Sequence, residues 1–465
     1  MIQSVALSSS PSETLLQDML IDTSTIPASH FKDLAKDFNA GMQYGLALQG
    51  TPAQETNPFK MYDSGIPAAA LDAQMVDGQT VLGIDVGGTA VKGAFYEVKD
   101  GKVYVATDAN GDRVTAEESF GGRTTWNAAE FYGMLADFVT RRLGRHLAQQ
   151  AGQGPIDALA YMYSFPGVAT FGNNGQDVVS HDGLPKEWHI AGLEAGGPVG
   201  AQLIDALHQA GILVGETTTR VVPNDTTAMI DKDHQGLVLG TGANIAVNLQ
   251  DLGIVNQECG GGDSKRLPKS NAMHIFDKGT TNFGGQQWEK VTAGYGVGGQ
   301  MKVLIAEAVR RGLLPETLPG IFTDPSLLNR FMSELMTPGR TANDLPLISS
   351  ARRVGVSDQG LTMLNRGAEL ILKASADAAA SMVVAAGNLV RAYSPKFGGI
   401  VNFKTEGSFF WKTPGYKQNV AATIAVIDPS TNYNFVGKDY RLGLVGAAQQ
   451  AARLNTYLNA QRASR

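Results

Sequence analysis

The stretch Val81-Leu-Gly-Ile-Asp-Val-Gly-Gly-Thr89, followed by Ala-Val-Lys-Gly-Ala-Phe-Tyr-Glu-Val98, sets the expectation for the fold. A short apolar run closes on a carboxylate, two glycines turn the chain, and a second apolar run leads back. The turn pair Asp100-Gly101 and the run from Val103 to Ala109 extend this into a meander of antiparallel strands. In such a turn, which spans Gly87, Gly88 and Thr89, successive backbone N–H groups converge on an anion and the threonine adds a hydroxyl. Asp85 then stands where it can hold a magnesium ion through water. An ordinary glycine hairpin explains the same string equally well.

The layout recurs at Gly236–Leu249, where two apolar runs flank Gly240, Thr241 and Gly242. Two related halves are therefore expected, each offering one phosphate-sized turn, and facing turns can embrace a triphosphate. Between them lie a helix from about Trp126 to Gln150, a strand from Asp157 to Tyr163 that runs into Ser164-Phe-Pro-Gly167, and a helix near Val199–Ala210. The apolar strand ending at Pro223 leads into Asn224-Asp-Thr-Thr227. A carboxylate placed there can accept a proton from a hydroxyl that attacks phosphorus, with the asparagine orienting that hydroxyl. Spacing alone favours a plain helix N-cap.

Outward from this centre, Phe31, Leu34, Phe38 and Met42 recur at helical steps behind Ser29, with Gly45 and Gly50 expected to end the helix. Toward the other end come a helix through Met301–Leu314, a long Ala-rich helix at about Leu361–Tyr393, a strand and turn over Val401–Phe410, a loop through Tyr433, and a terminal helix. Gly443, Gly446, Ala447 and Ala448 in that last helix allow close backbone approach.

Composition narrows the function. With 465 residues, 43% hydrophobic and 18% charged, the chain can bury large cores, which excludes intrinsic disorder. Acidic side chains outnumber basic ones 44 to 38 and no basic cluster appears, so no nucleic-acid partner is expected. Cys259 is alone, which excludes an intramolecular disulfide, and the seven histidines are scattered. The N-terminal stretch lacks a signal-peptide pattern, and the apolar tract at Ala378–Gly387 is too short to span a bilayer. A cytoplasmic protein with no membrane partner is expected. Gly294-Tyr-Gly-Val-Gly-Gly299 satisfies a dinucleotide pattern but follows a helical segment rather than a strand, and no P-loop string exists.

Seven strings stand in one order: LGIDVGGT (82–89), SFPG (164–167), NDTTAM (224–229), LGTGAN (239–244), GGQQWEK (284–290), EGSFFWKTPGY (406–416) and LVGAA (444–448). Taken together, over about residues 30 to 455, the sequence resembles the sugar kinases of the hexokinase family. The resemblance implies an α/β, two-lobed actin-like ATPase fold, each lobe a mixed five-stranded sheet flanked by helices, with a cleft between. The small lobe would comprise 76–223 joined by the C-terminal helix 441–465, and the large lobe 224–440 joined by the N-terminal helical segment 1–75.

It further implies ATP and Mg2+ as donor and metal, and a hexose, glucose first, phosphorylated at its 6-hydroxyl. Asp225 matches the general base. Asn224, Ser164 and Glu289 match sugar ligands, and Lys186 matches the lysine of a Thr-Lys pair whose threonine is replaced by Pro185. Asp85, Gly87, Gly88 and Thr89 match the first phosphate turn, with Lys92 where the family usually has arginine, and Gly240, Thr241 and Gly242 match the second. Gly407 and Gly443 resemble the adenosine turns. The family's N-T-E-W-G-A-F string corresponds here to Asp277–Phe283, which has no glutamate, leaving Asp277 as its substitute. The acceptor is then open between glucose and a mannose-, fructose- or amino-sugar-like hexose. A non-catalytic sugar sensor is the reading from another class, and intact Asn224 and Asp225 argue against it. A homodimer is left open.

Overall fold

A computed structural model describes residues 10–464, apart from 88–89, 122, 124, 151–154, 164–166, 181–188, 194–196, 213, 323–324, 338–344, 395–397 and 438–441. Two large sheets organise these residues, both built on one plan, beside a two-stranded one of Thr125–Asn127 and His189–Ala191. In the first, Thr80–Val86 pairs antiparallel with Ala90–Lys99, which pairs antiparallel with Lys102–Val105. On its other side Thr80–Val86 pairs parallel with Ile156–Tyr163, and that strand with Val214–Val221. In the second, His234–Leu239, Ala243–Asn248 and Ile254–Asn256 form the antiparallel meander, and Ile400–Glu406 and Asn432–Val436 add in parallel. The five-stranded mixed core and the internal duplication thus appear as expected. The sheets are larger than five strands, however, because neighbouring segments satisfy the edge N–H and C=O groups. Thr115–Ser119, Gly175–Ser180 and Gly167–Gly172 bring the first sheet to eight strands, and Tyr62–Asp63 brings the second to six. Asn432–Val436 is one of the core strands, where a loop was expected.

The period-two pattern of Thr80–Val86 decides what covers each face. Leu82, Ile84 and Val86 point into a cluster with Phe131, Leu135 and Phe138 of the helix Ala128–Gln150 and with Val199, Leu203 and Leu207 of the helix Val199–Gln209. Val81 points the other way, toward Ala447, Ala448, Ala451 and Ala452 of the helix Leu442–Ala463. Those alanines are fully buried, so small side chains there do bring a helix close to the strands. The second lobe is centred on the 36-residue helix Asp358–Tyr393, whose Ala376–Ala386 stretch is sequestered among the helices Pro11–Met19 and Ala28–Ala47 and the second sheet. That helix is long and apolar enough to cross a membrane by length and composition, and its most apolar stretch is 94% buried. The helix Ala28–Ala47 starts after Pro27, not at Ser29, and continues past Gly45.

Candidate active site

The plan of the two sheets delivers three carboxylates to one place. Asp85 ends the first strand of one sheet and Glu406 ends the fourth strand of the other, while Asp225 opens the four-residue helix Asp225–Ala228 where the chain passes between them. Antiparallel register sets Lys92 opposite Asp85, and its Nζ lies 3.9 Å from Asp85 Oδ2. Burial is the main force on Asp85 and lifts its carboxyl to about 6; Lys92 opposes this, and Asp225 and Glu117 add to it. Glu406 is lifted to about 7, again chiefly by burial, with repulsion from Asp225 and Asp85 set against an N–H donated by Gly443 at 2.9 Å. Carboxylates that resist ionisation beside one another mark a place arranged to receive positive charge. Glu406 was missed in the sequence; it stands immediately before Gly407 in the EGSFF string, and its meaning comes from contacts distant in sequence.

The glycine turns close on the same place. Gly87 N–H donates to Ala90 O at 3.0 Å, so the first turn is a hairpin; Gly88 and Thr89 lie outside the described residues. In the second, Gly240 N–H donates to Gly242 O at 2.9 Å. Gly407, with φ of +121°, leaves no room for a Cβ, which would collide with the carbonyl of Leu239. The chain at Gly407 therefore touches the Gly240–Gly242 turn backbone to backbone, as only a residue without a side chain allows. Gly443 packs beside Met162 and the carbonyl of Asp225. Glu289 reaches the same turn from the helix Gln287–Thr292, accepting from Ala243 N–H at 2.9 Å. The structure thus brings together Asp85, Lys92, Asp225, Glu289, Gly240, Gly242, Gly407 and Gly443, with Thr241 exposed on the turn. Ser164 and Lys186 lie outside the described residues.

Asn224 fulfils the helix-cap reading of its sequence. Its side-chain oxygen caps the short helix by accepting from Thr226 N–H at 2.9 Å, and it also lines a cavity with Tyr62, Asp63, Tyr163, Asn256 and Glu258. Asp225 Oδ1 accepts from Thr226 N–H at 2.7 Å and from Thr226 Oγ1 at 3.1 Å, which holds the carboxylate in one orientation.

An N-x-E string stands elsewhere in the chain. Val255-Asn-Gln-Glu-Cys-Gly-Gly-Gly262 follows the third strand of the second sheet and carries the N-x-E of the family string. Asn244 Nδ2 donates to Asn256 Oδ1 at 2.7 Å, and Asn256 Nδ2 donates to Glu258 Oε1 at 2.7 Å, a relay that orients Glu258 in the cavity shared with Asn224. Glu258 holds φ of +45°, an uncommon left-handed conformation for a side-chain-bearing residue, and such strain concentrates at functional positions. Asp277, by contrast, does not line that cavity. Asp277 is buried against Lys290 and accepts from Gln287 Nε2 at 3.0 Å and Gly284 N–H at 3.2 Å, which keeps its carboxyl below the usual range despite burial. Lys290 also donates to Asn282 O, so this pair ties the loop over residues 279–286 to its two helices.

Known proteins resemble this chain in sequence and in fold. Residues 234–452 match the family model described as hexokinase. Hexokinase-2 of Solanum tuberosum is 24% identical over 358 residues, an alignment spanning 71% of this chain and 66% of that protein. Hexokinase from Schistosoma mansoni, solved with glucose, superposes with a TM-score of 0.70 at 17% identity over 94% of this chain and 98% of that one. A second hexokinase crystal structure gives 0.72 at 18% identity over 95% and 99%. The whole-chain superpositions identify the two-lobed actin-like ATPase fold. The stretch 234–452 thus resembles hexokinases in sequence, and the chain as a whole shares their fold.

Proposed function

We propose that the protein transfers the γ-phosphoryl group of ATP to the 6-hydroxyl of a hexose, glucose first among them, giving hexose 6-phosphate and ADP. One observation carries this reading. Asp225 stands between the cavity of Asn224 and Glu258 on one side, and Asp85, Glu406 and the paired glycine turns on the other. The hydroxyl proton passes to Asp225 as its oxygen bonds to phosphorus and the bond to the bridging oxygen of ADP breaks. Most of the acceleration in such a reaction comes from alignment and from stabilising charge on the moving group, not from covalent work by the protein. Asn224, Asn256, Glu258 and Glu289 would align the sugar, the Gly240–Gly242 turn and the hairpin at Gly87 would hold the phosphates, and Lys92 would face them.

Mg2+ fits the donor set, since Asp85 and Glu406 are hard oxygen ligands raised toward neutrality chiefly by burial. Among the described residues no three His, Cys, Asp or Glu side chains are grouped closely enough to hold a metal by themselves. That favours an ion bound mainly by phosphates and water, with Asp85 and Glu406 reaching it through water. When bound, the ion neutralises charge on the phosphates. Glu258 supplies the acceptor thought absent, which favours glucose over a hexose with fewer contacts. We place the reaction in the cytoplasm, in keeping with the buried free thiol of Cys259.

The test is a coupled assay for ADP release across glucose, mannose, fructose and glucosamine, with and without Mg2+. Magnesium-dependent release with glucose as the best acceptor is expected. Tight sugar binding without ADP release would overturn the kinase reading in favour of a sensor.

A further inference from the structure

The strand Val214–Val221 ends one residue before Val222, and the chain then runs through Pro223 and Asn224 to Asp225. Val222 is 1% exposed, so its backbone N–H and C=O cannot be left to water. A side chain meets both. Gln176 Oε1 accepts from Val222 N–H at 2.6 Å, and Gln176 Nε2 donates to Val222 O at 3.2 Å. A carboxamide presents the same donor and acceptor as a peptide group, so Gln176 serves as one residue of an added strand. On the opposite flank, where Ile156–Tyr163 runs, Tyr163 N–H donates to Pro223 O at 3.0 Å. The segment that carries Asn224 and Asp225 is thus gripped from both sides.

Gln176 is itself firmly held. The hairpin of Gly167–Gly172 and Gly175–Ser180 comes close to the strand end because Gly175, with φ of +111°, has no Cβ to strike Arg220 O. Asp177, next along, accepts from Gly200 N–H at 2.7 Å, Ala201 N–H at 3.0 Å and Arg220 Nε at 2.5 Å. From the other sheet, a Cβ at Gly65 would lie 3.2 Å from Ala169 Cβ and 3.6 Å from Gln176 Cγ, so residues 62–66 close over the same hairpin. Gln176 is buried and lines the cavity of Asn224 and Glu258, yet its head is turned to the backbone, with Nε2 also 3.4 Å from Asp177 O.

We propose that Gln176 is a positioning residue for Asp225, its carboxamide replacing a strand so that the carboxylate stays aimed at the acceptor hydroxyl. This rests on the kinase reading for the role of Asp225. Gln176 acts through Val222, and what it protects is the alignment of the reacting groups.

The test uses the full chain and its Gln176→Met and Gln176→Glu variants. Methionine keeps the length of the side chain and loses both hydrogen bonds to Val222. Amide hydrogen exchange over residues 220–229 should quicken roughly tenfold in Gln176→Met, with exchange in the helix Asp358–Tyr393 unchanged. Its kcat should fall roughly ten- to a hundredfold, the cost of a small misplacement, while the KM for ATP is little altered. Glutamic acid keeps both bonds only while protonated, one oxygen accepting and the O–H donating. Asp63 and Glu258 in the cavity, Asp177 beside it and Asp225 beyond the strand end oppose its ionisation, and Arg220, paired with Asp177, favours it. The kcat of Gln176→Glu relative to the parent should therefore approach one near about pH 5.5 and fall toward that of Gln176→Met by about pH 8.5. Unchanged exchange over 220–229 or an unchanged kcat in Gln176→Met, or a ratio for Gln176→Glu that does not fall with pH, overturns the proposal. If Gln176→Met does not fold, exchange and the pH series of Gln176→Glu decide. If the unmodified protein phosphorylates no sugar, the kinase reading fails, and the exchange measurement still decides whether Gln176 holds this segment.

Discussion

Replacing Glu406 by glutamine removes the charge that the junction resists while keeping an oxygen for the Gly443 N–H. In the folded chain this carboxyl is lifted to about 7 from its ordinary 4.5. The folded state therefore binds the proton more tightly than the unfolded chain. The stability this brings is complete below about pH 4.5 and is lost as pH rises through 7. That displacement corresponds to roughly 3 kcal/mol when Glu406 is fully ionised. Glutamine carries no charge at any pH, so the ligand-free Glu406→Gln protein should gain on its parent by roughly 2 to 3 kcal/mol between pH 5 and pH 8. Urea unfolding at the two pH values, in buffer free of nucleotide and divalent cations, measures the difference. Adding Mg2+ and ADP at pH 8 should reverse the ranking, because the parent then has a cation to meet its carboxylate. An advantage of equal size at both pH values, or a deficit that grows toward pH 8, would refute the account of Glu406 as a buried charge under repulsion.

Asp225→Ala should lower kcat by roughly two to four powers of ten, the usual worth of a general base, with a smaller change in sugar affinity measured by calorimetry. Glu258→Gln should raise the sugar KM roughly tenfold to a hundredfold, since it weakens a charge-assisted hydrogen bond, and steady-state rates against sugar concentration report it. Lys290→Met leaves Asp277 buried without its cation, so unfolding by denaturant should show a loss of roughly 3 to 5 kcal/mol; an unchanged midpoint would remove the pair as anchor of the 279–286 loop.

What could be read from the sequence was local. The strand-turn-strand units at Asp85 and Gly240 rest on period-two patterning with glycine turns, which neighbouring residues specify. Edge strands such as Tyr62–Asp63 depend on partners far along the chain, and Asn432–Val436 is short and half polar, so neither carries a signal of its own. Site residues split the same way. Asn224 and Asp225 follow an apolar strand and were visible. The ion pair of Asp277 was not visible because its lysine lies thirteen residues on, past a loop, and only folding shows the two to be buried together. Glu258 was overlooked because its string keeps Asn256, the glutamate and Gly260 but has Cys259 and Gly262 where the N-T-E-W-G-A-F string has aromatic residues. Glu406 has no local signature, since its character comes from Asp85 and Asp225.

The helix Leu442–Ala463 covers a sheet whose first strand is made some 360 residues earlier, as the positions of Thr80 and Leu442 show. During synthesis the face bearing Val81, Ala158 and Ala160 waits, bare and greasy, until the helix Leu442–Ala463 has emerged. The lobe translated early is thus finished late, and in a growing cell it would be the natural client of chaperones throughout elongation.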